Sequence, residues 1–400
     1  MSEEKAFLEK VHIKNFMSLR DVTLPLKPLT IFVGPNASGK SNTVTALYRL
    51  HNMMVDERLS SDEFNRDTLW ETEVPKISFH LHTKVEESRT LYHLEVKLEP
   101  DLSFRAEQLS VNDANVISIQ DGQGTVRDEN GENGTPYNSD ELALRSAGNY
   151  GNKPITRALA EFMKEWKFYD FSPDLIRSSL TRSILLAEKE IREFPKLDSY
   201  GLKLPEVLCN WEKNFPERFK NVSDSLVSST NRYIDSFPVM EENQLFSGNQ
   251  LFLLEGYREP IPLKSASDGM LRLIAYYTLL NEPELPPLIA IEEPERNFHP
   301  GALTDIANVL EQIAQYSQVI ITTHSSQLLG AFNPESLGDS LGVLLLRNRP
   351  GFGTEVLNLE DYRGKKKALD GWIADFGIGS AVFDSGLLPD EMEDTAECQA

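Results

Sequence analysis

Lys40 and Ser41 close the segment Gly34-Pro35-Asn36-Ala37-Ser38-Gly39-Lys40-Ser41, where two glycines bracket a short loop ahead of a cation and a hydroxyl. Glycines at those places let the backbone turn its N–H groups inward around a triphosphate. Lys40 would set a point charge on the β and γ phosphates, and Ser41 would offer its hydroxyl to Mg²⁺. The nucleotide-binding set predicted by the pattern is Gly34, Asn36, Ala37, Ser38, Gly39, Lys40, Ser41 and Asn42. A phosphate cradle of this kind specifies a nucleotide and leaves open what is done with it.

Leu288-Ile289-Ala290-Ile291 runs into Glu292-Glu293-Pro294-Glu295. Apolar residues of buried-strand type deliver two acids to the carboxyl end of a parallel strand, where open α/β sheets bind ligands. Glu292 would hold Mg²⁺, directly or through water, and Glu293 would orient and deprotonate the water attacking the γ phosphate. Neighbours in a strand point to opposite faces, so two roles require the strand to end near Glu292, and Pro294 supplies the stop. A further run, Val319-Ile320-Ile321-Thr322-Thr323, brings His324 to a strand end, where it could touch the γ phosphate and report its loss. In Ser265-Ala266-Ser267-Asp268-Gly269-Met270-Leu271-Arg272, Ser267 or Asp268 can cap a helix with Met270, Leu273, Ile274, Tyr277 and Leu280 at apolar spacing. A helix start carrying Ser267 and Gly269 is a second anion site, of most use if it closes on the nucleotide from another subunit.

These groups need elements behind them. Leu29-Thr30-Ile31-Phe32-Val33 is the strand that feeds the loop. A helix from Lys40 through Asn42, Thr45, Leu47 and Leu50 aims its positive end at the same anion. Residues 75 to about 126 alternate as antiparallel strands with one wet face; His80, His82 and His93 there read as half-exposed sheet residues before they read as a metal cluster. Residues 121–140 are dense in Gly, Asn, Asp and Ser and predict a long mobile loop. Residues from about 154 to 236 read as mainly helical, with Leu204, Val207, Leu208, Trp211 and Phe215 at helical spacing. Val343-Leu344-Leu345-Leu346 and Thr354-Glu355-Val356-Leu357 predict a closing hairpin, followed by a helix near Ala368 to Phe376 and an acidic tail.

The ordered set GPNASGKS, SDGMLRL, LIAIEEPERNFHP and VIITTHSSQLL resembles ATP-binding-cassette type ATPases of the SMC/RecF/OLD group, closest to compact bacterial AAA ATPases with an SDG signature. Ile13-Lys14-Asn15-Phe16-Met17-Ser18 is similar to that family's first strand, so the likeness covers nearly the whole chain. It implies an α/β P-loop NTPase with an ABC-type head: a mixed sheet flanked by helices, an antiparallel β lobe and a helical insertion. The head would comprise 1–150 as N-terminal lobe, 151–240 as helical insertion and 241–400 as C-terminal lobe. The resemblance also implies ATP held with Mg²⁺ between two heads, with Lys40, Ser41, Glu292, Glu293 and His324 acting in cis and Ser267 and Gly269 in trans.

Three positions depart from the family pattern. Glu292 stands where Asp is usual; Asn297 stands where Gly would supply positive φ; Met17 stands where an arginine is often found, leaving Lys14 or Arg20 to supply any basic contact. No sustained heptad and no Cys-x-x-Cys hook appears, and no Leu-Ser-Gly-Gly-Gln signature of transporter-energising ATPases. About 75 residues follow His324, too few for the nuclease domain that OLD proteins carry, so a separately encoded effector is the expected partner, with a homodimer or higher homo-oligomer as the working form.

The 400 residues hold 40 Lys and Arg against 62 Asp and Glu, a net charge of -22 that opposes nucleic-acid binding through phosphate neutralisation. Arg363, Lys365, Lys366 and Lys367 are the one dense basic cluster and read as a solvated helix start. No apolar run is long enough to span a bilayer, and Cys209 and Cys398 suit free thiols, so a cytoplasmic protein without a membrane partner is expected. ATP hydrolysis is the predicted activity; an ATP-bound scaffold that scarcely hydrolyses is the alternative. Gln108 and Gln120 are equal candidates for a contact to Mg²⁺ and water from the first lobe.

Overall fold

The computed structural model describes residues 6–56, 68–71, 73, 76–98, 103–146, 153–186, 195–230, 232–240, 247–254, 259, 261–363 and 367–384. Lys365, Lys366, Cys398 and the acidic residues 390–394 lie outside them.

Strands β1 (Phe7–Phe16) and β2 (Leu19–Pro25) precede the wholly buried β3 (Leu29–Val33) and helix α1 (Lys40–Val55). Then follow β4 (Lys76–Val85), β5 (Ser88–Lys97), β6 (Ser103–Val111), β7 (Ala114–Gln120), β8 (Gln123–Val126) and β9 (Thr135–Asn138). All but β3 join one eight-stranded antiparallel sheet in the order β2-β1-β4-β5-β6-β7-β8-β9. Along β4, Ile77, Phe79 and Leu81 are buried while His80 and His82 are half-buried, the alternation of a sheet with one wet side. His12, His80 and His93 stand in register across β1, β4 and β5. Among the described residues no group of three or more His, Cys, Asp or Glu is arranged to hold a metal.

Residues 121–140 are not the long loop expected from their composition. They contain β8 and β9, and their turn-forming residues serve tight connections: the Asp128 carboxylate accepts from the Asn130 and Glu132 N–H groups and from Asn133 Nδ2.

Helices α2 (Ala143–Ser146), α3 (Pro154–Lys164), α4 (Pro173–Leu186), α5 (Leu204–Asn214) and α6 (Pro216–Thr230) follow, with the short strand β10 (Lys167–Tyr169) between α3 and α4. Leu204, Val207, Leu208 and Trp211 are buried along α5 as their spacing predicts. Strands β11 (Tyr233–Met240), β12 (Ser247–Leu254) and β13 (Ile261–Pro262) form a small antiparallel sheet that the sequence pattern did not announce. Helix α7 (Asp268–Leu280) leads to β14 (Leu288–Glu292), α8 (Leu303–Ile313), β15 (Gln318–Thr323) and α9 (Ser326–Ala331). The chain continues through the expected hairpin of β16 (Leu341–Arg349) and β17 (Gly353–Asn358) to α10 (Leu359–Arg363) and α11 (Lys367–Phe383). Among the described residues no helix is long and apolar enough to cross a membrane.

The second large sheet runs β10-β14-β15-β3-β16-β17 and is parallel except for the β16/β17 hairpin. It separates two cores. Ile31, Val33, Ile289, Ile291 and Ile321 pack with α5 to α8 on one face, while Phe32, Leu288, Ala290 and Ile320 pack with α1, α3 and the antiparallel sheet on the other. Apolar runs buried on both faces are what such a wall requires, and each buried Ile, Leu, Val or Phe side chain contributes about 1.5–3 kcal/mol. The register sets the site: Glu292 pairs with Thr322 and Thr323 with Val33, so the carboxyl ends of β14, β15 and β3 meet at one edge.

Candidate functional site

The loop between β3 and α1 is shaped by close approach. A Cβ on Gly34 would lie 2.1 Å from the Leu346 carbonyl oxygen, and one on Gly39, at φ 103, would lie 2.1 Å from Thr354 Oγ1. Glycine alone meets both demands. Ala37 also takes positive φ, at 62. Polar contacts strap the loop to the rest of the head. Thr354 Oγ1 donates to the Ser38 carbonyl at 3.1 Å and lies 2.7 Å from Ser18 Oγ, which accepts from Asn42 Nδ2 at 2.7 Å. Asn42 therefore turns its amide to the β1–β2 turn, while Asn36 and Ser41 are exposed.

Lys40 Nζ donates to the carbonyls of Gly34 and Pro35 at 2.7 and 2.8 Å, folded back onto its own loop. Burial pulls its pKa down and the charges of Glu293, Glu295 and Glu292, in that order, push it back up. The acids at and just past the end of β14 thus face the lysine of the loop.

Strand β14 ends at Glu292, as the two-role reading required. Glu293 leaves it at φ 44, its N–H donating to the Thr322 carbonyl at 3.0 Å. Its Oε2 accepts from Arg296 Nε at 2.8 Å and its Oε1 lies 3.3 Å from His324 Nδ1. Burial raises the Glu293 carboxyl, but Arg296 and His324 outweigh it and hold the group below the ordinary carboxylate range. His324 is half exposed at the end of β15.

Glu295, to which sequence reasoning gave no role, anchors that histidine. Its Oε1 accepts from Thr323 Oγ1 at 2.5 Å and from the His324 N–H at 3.4 Å. The third acid of Glu-Glu-Pro-Glu was the available signal.

Ser267 caps α7, accepting from the Met270 N–H at 3.3 Å. Asp268 pairs with Arg177 at 2.5 Å and accepts from Asn297 Nδ2 at 2.9 Å, and Gly269 lies against the Asn297 carbonyl. Asn297 takes φ 67, the conformation glycine would supply. The signature end of α7 is therefore seated on the turn that follows the acids. Asp170, just past β10, adds a link that no local motif announced: its Oδ1 is 3.7 Å from Arg272 and 3.8 Å from Arg296.

Gln108 stands opposite His93 in the antiparallel sheet, and Gln120 opposite Ala106 and Gln123. Neither lies among the described contacts of Lys40 or the acids. Lys14 pairs with Asp21 and Arg20 with Glu71, both beside a cavity of about 450 Å³ lined also by Trp70 and His80.

The donor set suits a nucleotide with Mg²⁺. Ser38 Oγ and Glu295 Oε2 are buried without a partner among the described residues, and the cradle at Gly34 and Gly39 is one that a Cβ would fill. A hydroxyl at Ser41 and a carboxylate at Glu292 are the few hard oxygens that Mg²⁺ takes from a protein when phosphates and water complete its shell.

A family model described as "AAA domain, putative AbiEii toxin, Type IV TA system" matches residues 29–330. The chain belongs to this AAA family. The OLD nuclease of Thermus scotoductus is 25% identical over 343 residues, 80% of this chain and 59% of that relative, so the AAA-family chain spans less than two thirds of the nuclease's length. An Smc head domain with an extended coiled coil, from Pyrococcus furiosus and bound to the C-terminal domain of ScpA, superposes with a TM-score of 0.53 at 13% identity. That match covers 91% of this chain and 100% of the head. A second Smc head, bound to the C-terminal winged-helix domain of ScpA, gives 0.53 at 13% identity over 90% and 99%. At such identity the likeness shows the fold, an ABC-type P-loop head. The AAA-family chain thus has the head fold that the two Smc heads share.

Proposed function

We propose that this chain is a Mg²⁺-dependent ATPase whose heads dimerise around ATP, and that the dimeric state is the output handed to a partner protein. The observation that carries the reading is the meeting of Lys40, Glu292, Glu293 and His324 at one sheet edge, while Ser267 and Gly269 sit on a separate helix start seated against Asn297. In the reaction, Gly34 to Asn42 wrap the phosphates, Lys40 leaves its loop carbonyls for the β and γ oxygens, and Ser41 and Glu292 are the groups that would hold Mg²⁺. That ion, when bound, neutralises charge developing on the phosphates. Glu293 takes the proton of the attacking water, and His324, fixed by Glu295, sits where loss of the γ phosphate is felt. Ser267 and Gly269 close the site from a second copy.

The process served is defence against phage or DNA repair. The family description names a toxin of a type IV toxin–antitoxin system and the matched relative is a nuclease, while the two Smc heads each bind ScpA, another protein. The charge of -22 favours a protein partner over nucleic acid.

Glu293→Gln is the test. Phosphate release should vanish while ATP still raises the mass to that of a dimer, because the amide keeps the shape but cannot take the proton. Undiminished hydrolysis would remove Glu293 as the base. One observation favours the scaffold reading: both oxygens of Glu293 are engaged, by Arg296 and His324. Steady-state phosphate release set against ATP-dependent mass separates the two.

A further inference from the structure

Glu293, the base assigned above, is gripped on both sides: Arg296 Nε stands 2.8 Å from Oε2 and His324 Nδ1 3.3 Å from Oε1. A carboxylate so held is poorly placed to collect a water. Arg296 has another acid within reach, because its Nη1 is 3.8 Å from Asp170 Oδ1. The same oxygen is 3.7 Å from Nη2 of Arg272, which lies on α7. Arg272 is only 5% exposed, and its Nε has no partner among the described residues. Asp170 is therefore placed between a buried arginine of α7 and the exposed Arg296, so a shift of α7 changes how that carboxylate is shared.

Arg296 thus has two acids within reach, and two arrangements can be drawn. In one, seen here, Arg296 lies on Glu293 and Asp170 is divided between the arginines. In the other, Arg296 lies on Asp170 and Glu293 is released. We propose that Arg296 is a positioning residue that latches Glu293 in the resting chain, and that Asp170 draws it away when α7 is engaged by nucleotide. The inference rests on Glu293 as base.

Two paths carry movement of α7 to Arg296. The first runs from Arg272 through Asp170. The second runs from Asp268, whose carboxylate holds Asn297 at 2.9 Å, next to Arg296 in the chain. Nucleotide arriving at Ser267 and Gly269 from a second copy would press on both. Filling the signature of one head then frees the base of that same head, so neither hydrolyses alone.

The experiment is kcat and KM for phosphate release by the full chain and its Arg296→Gln, Arg296→Lys, Asp170→Asn and double variants, with Glu293→Gln as blank. Releasing an ion pair of this exposure is worth about fivefold. Arg296→Gln should raise kcat by about that factor with KM unchanged, and Arg296→Lys should return it toward the wild type. Asp170→Asn should lower kcat, and the double variant should match Arg296→Gln alone, because without the latch the acceptor has no task. If Asp170→Asn does not fold, Arg296→Gln on its exposed turn carries the test. A kcat that falls or stays level in Arg296→Gln overturns the latch. So does silence in both that variant and an inactive wild type. Denaturation of Arg296→Gln, Glu293→Gln and their double variant without nucleotide should show coupling of about fivefold in the folded-to-unfolded ratio, a reading independent of turnover. Undiminished turnover in Glu293→Gln would instead strike the base assignment.

Discussion

A methyl group at position 39 would meet Thr354 Oγ1 at 2.1 Å on a backbone held at φ 103. Left-handed geometry costs a non-glycine residue about 1–2 kcal/mol, and here the clash adds to it, so the loop must open to admit the atom. Gly39→Ala should therefore lose ATP binding by at least about tenfold while the cores on either side of β3 stay intact. ATP-induced shift of the melting temperature is the measure, and an unchanged shift would show that the loop tolerates the methyl. Lys40 is a different kind of residue. Its bonds to the Gly34 and Pro35 carbonyls tie the side chain back to its own loop, so the charge proposed for the phosphates also helps shape the loop.

At the scale of elements, the helix start of α7 should separate stability from assembly. Ser267→Ala removes the cap that accepts from Met270, at about 1 kcal/mol of stability by denaturant titration. It should also abolish the ATP-dependent dimer seen by sedimentation, a far larger effect than the lost cap explains. A dimer that survives would mean Ser267 is a cap and nothing more. The cap, and the role proposed beside it, mark what could be read in the sequence. Strands β14 and β15 were legible because each is an apolar run that leads into a polar residue, and β3 because a similar run opens directly onto the Gly34 loop. The position of Asn297 at φ 67 was legible from the conformations asparagine tolerates. The strands β8 and β9 were not, since Gly, Asn and Asp mark tight turns and long loops alike and only pairing decides. Asp170, Arg272 and Arg296 could not be joined from sequence, because they come from the end of β10, from α7 and from the turn after β14. No local period records that meeting.

The whole molecule places two titrating groups in opposition within the antiparallel sheet. Glu107 on β6 is buried and accepts from Tyr92 Oη and from the Ala143 and Leu144 N–H groups, tying α2 to the sheet. Burial lifts its pKa from 4.5 to about 7, against the pull of those three donors. An acid raised on folding contributes stability that is full below 4.5 and is lost as pH rises through about 7. His80 on β4, stacked on His93 at 4.1 Å, goes the other way: burial, then the charges of His93 and His12, press it from 6.5 to about 4. A histidine kept neutral by the fold contributes stability that is full above 6.5 and is lost as pH falls through about 4. Between 4.5 and 6.5 the two slopes oppose each other, which flattens the acid side of the stability profile. Denaturant titrations of the wild type, Glu107→Gln and His80→Gln across this range isolate each slope as a difference, free of the other groups that titrate. The wild type should lose ground to Glu107→Gln as pH climbs through about 7, and to His80→Gln as pH drops toward about 4. A difference that does not change with pH would mean that the group titrates in the fold as it does in the open chain, and that the sheet exerts no pull on its proton.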